Sequence, residues 1–199
     1  GTAITLNGAV TTTNDGTFTV VNSGALTVAA DMNLAGAFAQ SGGGAVTLSA
    51  DITTTADAIS FTNAVTLGDD VTITSAGGDI SFDSTVDGAQ SLTLVAGAGN
   101  ITLSDAVGGS TRLGVFTITS GATVSADAVT AASIVQTAGS VASTFGALNT
   151  NAAAGISLSG TAITLNGAVT TTNDGTFTVV NSGALTVAAD MNLAGAFAQ

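Results

Sequence analysis

Asp69, Asp70 and Asp87 are the residues whose type and spacing come closest to a chemical site in this sequence. Hard cations take carboxylate and carbonyl oxygens. One short repeat interval separates the Asp69-Asp70 pair from Asp87, which makes the three candidate calcium ligands. The Gly-Gly-x-Gly-x-Asp nonapeptide that arranges calcium in β-rolls is absent, so the expectation is solvated corner aspartates that keep the chain soluble. Asn14-Asp15-Gly16 is a turn before it is a ligand. Gly42-Gly43-Gly44 lacks the Lys, the Ser/Thr and the following helix of a phosphate loop. Thr72/Thr74, Thr117/Thr119 and Thr17/Thr19 each put two hydroxyls on one outer face, the kind of array with which a regular solenoid can bind ice. Val95, expected opposite Thr93, interrupts that array and leaves an ordinary solvated face, open to O-glycosylation.

Catalysis finds few tools here. All 13 acids are Asp, Arg112 is the single base, and the sequence contains no His, Lys, Cys, Tyr, Trp, Glu or Pro. A glycosidase needs two carboxylates held at different pKa values, and a lyase needs a base. Carboxylates are present, but no shuttle, nucleophile or aromatic platform for a sugar ring accompanies them. No enzyme and no cofactor are expected, calcium remaining the one candidate ion. A net charge of −12 argues against nucleic acid and against an anionic membrane surface. No apolar run approaches the roughly 18 residues of a membrane helix. Cysteine-free composition is compatible with an oxidising exterior. With 45% hydrophobic residues, many of them β-branched, the chain is expected to fold into pleated structure.

The elements that would carry these residues are set by repetition at two scales. Ile59-Ser60-Phe61, Ile80-Ser81-Phe82 and Ile101-Thr102-Leu103 follow one another at a spacing of 21. Val71-Thr72-Ile73 and Leu92-Thr93-Leu94 keep the same spacing, as do Val65, Val86 and Val107. Residues 59–79 share only six identities with 80–100, so this short repeat is one of pattern. By contrast, Gly1 to Gln40 recurs unchanged as Gly160 to Gln199. Residues 1–159 are thus one complete repeat unit, and 160–199 open the next, identical to 1–40. A window that begins and ends inside a repeat is expected to be a segment of a longer tandem array.

A fixed period near 20 with strand-like alternation predicts an all-β, right-handed parallel β-solenoid, about 20 residues per coil and roughly ten coils, eight of them in the unit. Ile4-Thr5-Leu6, Val10-Thr11-Thr12 and Phe18-Thr19-Val20 read as short strands between the turn signals Asn7-Gly8 and Asn14-Asp15-Gly16. Ile59, Phe61, Val71, Ile73, Ile80, Phe82, Leu92, Leu94, Ile101 and Leu103 should face inward and stack in columns, with Ser60, Thr72, Ser81, Thr93 and Thr102 outside. Gly108-Gly109-Ser110-Thr111-Arg112 reads as an inserted loop. From Ala122 to Gly155 the pattern is Ala-rich and the coil boundaries are not legible.

The motifs Gly78-Asp79-Ile80-Ser81-Phe82 and Gly99-Asn100-Ile101-Thr102-Leu103 resemble those of the filamentous-haemagglutinin-like and giant tandem-repeat surface adhesins of bacteria. That resemblance implies a secreted or surface-attached parallel β-helix and carries over no binding residues. The expected role is a structural fibre, stalk or sheath outside the cell, with further copies of its own repeat as partners, in the same chain or stacked end to end. The alternative is an adhesin repeat whose own surface meets a receptor, a neighbouring cell or ice. A string of β-sandwich domains is disfavoured by the short sub-period and the missing core Trp and Tyr.

Overall fold

A computed structural model describes residues 3–199; Gly1 and Thr2, the start of the first unit, lie outside the described residues. Short strands joined by tight bends wind into a parallel β-solenoid, and no helix occurs among the described residues. Each turn crosses three faces, with one strand on each, except that Val107 makes only an isolated bridge and Val129–Gln136 is a single strand serving two faces. Every pairing between strands is parallel. On the first face the chain passes through Ile4, Leu26, Val46, Val65, Val86, Val107, Val129, Leu148, Val169 and Met191, at nearly equal steps along the sequence. The second face begins with Val10–Thr11 and Met32–Leu34, the third with Phe18–Asn22 and Phe38–Gly42. Nine full turns are complete, and two faces of a tenth follow.

The predicted columns are present. Ile59, Ile80 and Ile101 are register partners in successive coils of the third face, and Phe61, Phe82 and Leu103 run beside them. Val71 lies on Leu92 and Ile73 on Leu94. All ten of these inward side chains are at most 3% exposed. A side chain of that size contributes roughly 1.5–3 kcal/mol on full burial, and each is covered by the coils above and below rather than by its own. Phe61 and Phe82 stack with ring centroids 4.9 Å apart and planes 9° from parallel.

Alternation explains the strands; close approach explains the corners. Gly42 has φ 110°, and a Cβ there would run into the Asn22 carbonyl of the coil below. Gly44 would collide with Gly24 in the same way. Gly42 and Gly44, with Gly43 between them facing open space, are therefore where two coils' backbones touch. Asn14 and Asp15 take left-handed φ values of 54° and 55°, which these two residue types tolerate best after glycine.

Two stretches take forms that the sequence pattern does not announce. Phe38–Gly42 is a strand, although its small residues look like turn. It forms because Phe38 and Gln40 point inward against Phe18 and Val20 below. In the Ala-rich region, Val129–Gln136 is one continuous strand that serves two faces: Val129 pairs with Leu148 on the first, Ile134 with Ile156 on the second. The Gly108–Arg112 loop is present, and the strand after it starts at once, at Leu113.

Candidate functional site

The three calcium candidates do not converge. Asp69 and Asp70 are exposed on the bend between Val65–Leu67 and Val71–Thr74, while Asp87 ends the strand above and lies in register with Thr66. Each carboxylate is already engaged. Asp69 accepts the Asp70 amide at 2.9 Å, Asp70 accepts the Ser91 amide at 2.7 Å, and Asp87 accepts the Ser110 and Thr111 amides at 2.8 and 3.0 Å. Among the described residues no group of three or more metal-ligating side chains is found.

These contacts belong to a wider pattern. Asp31 accepts the amide of Asp51, Asp51 that of Thr72, and Asp79 that of Asn100, each one coil further on. Asn100 repeats it with Thr123. A corner is where the ladder breaks and a backbone N–H loses its carbonyl partner. Short acidic side chains at the corners supply that partner from the coil below. Their chemistry is acceptance of amide protons; where the bond crosses between coils the amide comes from the coil above, whereas Asp69 and Asp105 accept from the next residue of their own coil.

Two polar features inside or against the core were not legible in the sequence. Asn22 and Gln40 are buried at 0% and 1% exposure. Gln40 Nε2 donates to Asn22 Oδ1 at 2.7 Å and to Asn63 Oδ1 at 3.0 Å, and Asn22 Nδ2 donates to the carbonyls of Gly24 and Gly44. This amide ladder ties three coils and replaces an apolar column that the sequence pattern would extend. Arg112 is the second feature. Its guanidinium donates to the carbonyls of Ala131 at 2.7 Å and Asn149 at 3.0 Å, and to Asn149 Oδ1 at 2.7 Å. The planar fork bridges the next two coils, with backbone oxygens in place of a carboxylate. Among the described residues, the buried side-chain polar atoms without a hydrogen bond are Gln136 Oε1 and Thr150 Oγ1.

The outer hydroxyls form longer columns than the sequence implies. Thr5, Thr27, Thr47 and Thr66 are in register on the first face. On the second, Thr93 lies between Thr72 and Thr117; Val95 lies on Thr74 and interrupts the adjoining column, not the Thr93 one. That adjoining column also slips by one position, Val95 pairing with Ser120. Thr-x-Thr pairs therefore recur in only part of the face. Grooves along the rod are shallow; one of ≈ 410 Å³ is lined by Ser140, Ser159 and Asn181 among small residues, with no charged side chain.

What this surface can do chemically is offer hydroxyl, amide and isolated carboxylate groups at regular spacing. The chain matches no family model, no curated protein and no solved structure.

Proposed function

We propose that this chain is a length of a covalent tandem array whose work is mechanical: a stiff structural fibre, stalk or sheath at the cell surface or beyond it. One observation carries the reading. The second copy of the repeat continues the stack without a seam: Ile156 pairs with Phe177, Phe145 with Leu165, and Leu148 with Val169. A junction between units is then no weaker than the contacts within one, which is what an array under load requires.

The bacterial adhesin resemblance supports an extracellular place and coils of right hand, the hand that parallel crossovers take in about 98% of cases. A surface of Thr, Ser and corner Asp supports a passive exterior, since contact sites are usually rich in aromatic and Arg anchors. Neither catalysis nor a cofactor is part of this reading. The test is the intact mass of the natural chain together with electron microscopy of its source material. Many repeats in one thin filament agree with the proposal; a discrete chain of about this length, carrying a ligand, replaces it with a binding module.

A further inference from the structure

The two copies of the repeat do not occupy the same faces. Ile4–Leu6 lies in the sheet of Leu26–Val28 and Val46–Leu48, the first face. Its identical counterpart, within Ala162–Leu165, lies in the sheet of Phe18–Asn22 and Phe38–Gly42, the third face. Val169–Thr171 then falls on the first face and Phe177–Asn181 on the second, where Val10–Thr11 and Phe18–Asn22 fall on the second and third. From Ile4 to the start of the second copy the chain makes twenty-three face passages, counting the Val107 bridge as one, which is seven turns and two faces.

The left-handed corners move with the faces. Asn14, Asp15, Ala56, Ala76 and Gly97, all in the left-handed helical region, sit between the second and third faces. Gly108, Gly155, Asn173 and Asp174, in the same region, sit between the first and second. Gly88, at a wider φ of 127°, lies between the first and second faces ahead of the change and belongs to neither set. The change falls at the Gly108–Arg112 loop and the two-face strand Val129–Gln136, the stretch where the short period loosens. The five-residue strands move likewise, from the third face at Phe18–Asn22 to the second at Phe177–Asn181.

We infer that a tandem array of this repeat is a screw in which each unit is turned by one face, about one third of a turn, relative to the unit before it. At ~4.8 Å per coil, each unit rises ~37 Å and the axial period is three units, ~110 Å. This inference rests on the tandem-array reading for its extension beyond the second copy. Its consequence concerns recognition. Any feature that occurs once per unit, such as the Arg112 loop, points in three directions along the rod and returns to one side only at every third unit. Such a rod meets neighbours equally on all sides, as a filament enclosed by like filaments does. It cannot present such a once-per-unit feature as a dense one-sided array to a flat surface.

The relation between copies is testable in the 199-residue chain, which contains no native cysteine. Thr144 and Thr164 are outward register partners, as are Ser157 and Thr178. Pyrene labels on T144C/T164C, and separately on S157C/T178C, should give excimer emission well above the single-cysteine controls. N149C/T164C should not, because Asn149 is on the first face and Thr164 on the third. A whole-turn relation predicts the opposite: Thr164 over Asn149. Excimer in that pair, or in none of the three while the far-ultraviolet β signal persists, overturns the screw. These outcomes do not depend on the length of the natural protein. In filaments of the natural chain, an axial period of ~110 Å supports the screw and one of ~37 Å refutes it, at the strand spacing used above. The absence of filaments counts against the array alone.

Discussion

Residues 3–40 and 162–199 are the same sequence in two settings, and they differ in what covers them. Their internal registers agree position for position: Ile4 on Leu26 and Ile163 on Leu185, Val10 on Met32 and Val169 on Met191, Phe18 on Phe38 and Phe177 on Phe197. Even the corner hook recurs, Thr12 Oγ1 donating to Gly16 and Thr171 Oγ1 to Gly175, both at 2.6 Å. Burial does not agree. Met32 and Phe38 are 0% exposed, whereas Met191 and Phe197 are 41% and 43% exposed, because residues 41–61 lie over the first pair and no described coil lies over the second. The Phe18–Phe38 rings are stacked at 6.2 Å, the Phe177–Phe197 rings tilted at 5.4 Å. Coil shape is thus a local property; stability comes from the neighbours.

Four substitution experiments put that contrast at risk, in falling order of expected effect. Phe177→Asp places an unpaired charge in a closed layer and should cost several kcal/mol, disrupting its own coil and both adjoining ones. Phe18→Asp, the identical position in a half-covered layer, should cost clearly less. Phe82→Asp should match the first. Thermal unfolding followed by circular dichroism decides, and equal shifts for Phe18 and Phe177 would contradict the role given to covering coils. Next, Met32→Ala should lose about 2–5 kcal/mol and Met191→Ala under about 1 kcal/mol in denaturant titration.

The two smaller effects concern the polar links. Arg112→Met keeps the aliphatic stem but removes the fork, with an expected cost of about 1.5–3 kcal/mol. In the parent chain trypsin has one basic residue to cut after, and its half-buried, hydrogen-bonded state should make native cleavage slow and denatured cleavage fast. Rapid native cleavage would show that the loop opens freely. Smallest is Asp79→Ala, which removes an acceptor for the coil above and should cost under about 1 kcal/mol. Asp190→Ala, in the last coil, should cost nothing measurable by the same titration.

Much of the fold is legible from single residues. Ile59, Ile80 and Ile101 declare the period, and the alternation Ile-Ser-Phe declares which side chains turn inward. Other parts are not. Gln40 occupies an inward position that the apolar pattern would reject, and its acceptance depends on Asn22 and Asn63, one from the coil below and one from the coil above. No local signal announces that triad. Asp69, Asp70 and Asp87 look like a cluster in one dimension and separate in three, since a bend and a strand end lie on different parts of the coil edge.

The amino-acid sequence alone determined that short strands alternate in and out, that turns fall where Gly, Asn and Asp gather, and that a long unit recurs. It left open the face on which each strand lands. Joints between strands vary in length, and the coil closes wherever inward side chains find the column beneath, so face assignment accumulates over the whole stack. Only the tertiary structure could therefore show that one unit stops a face short of eight turns, and that identical sequences point in different directions.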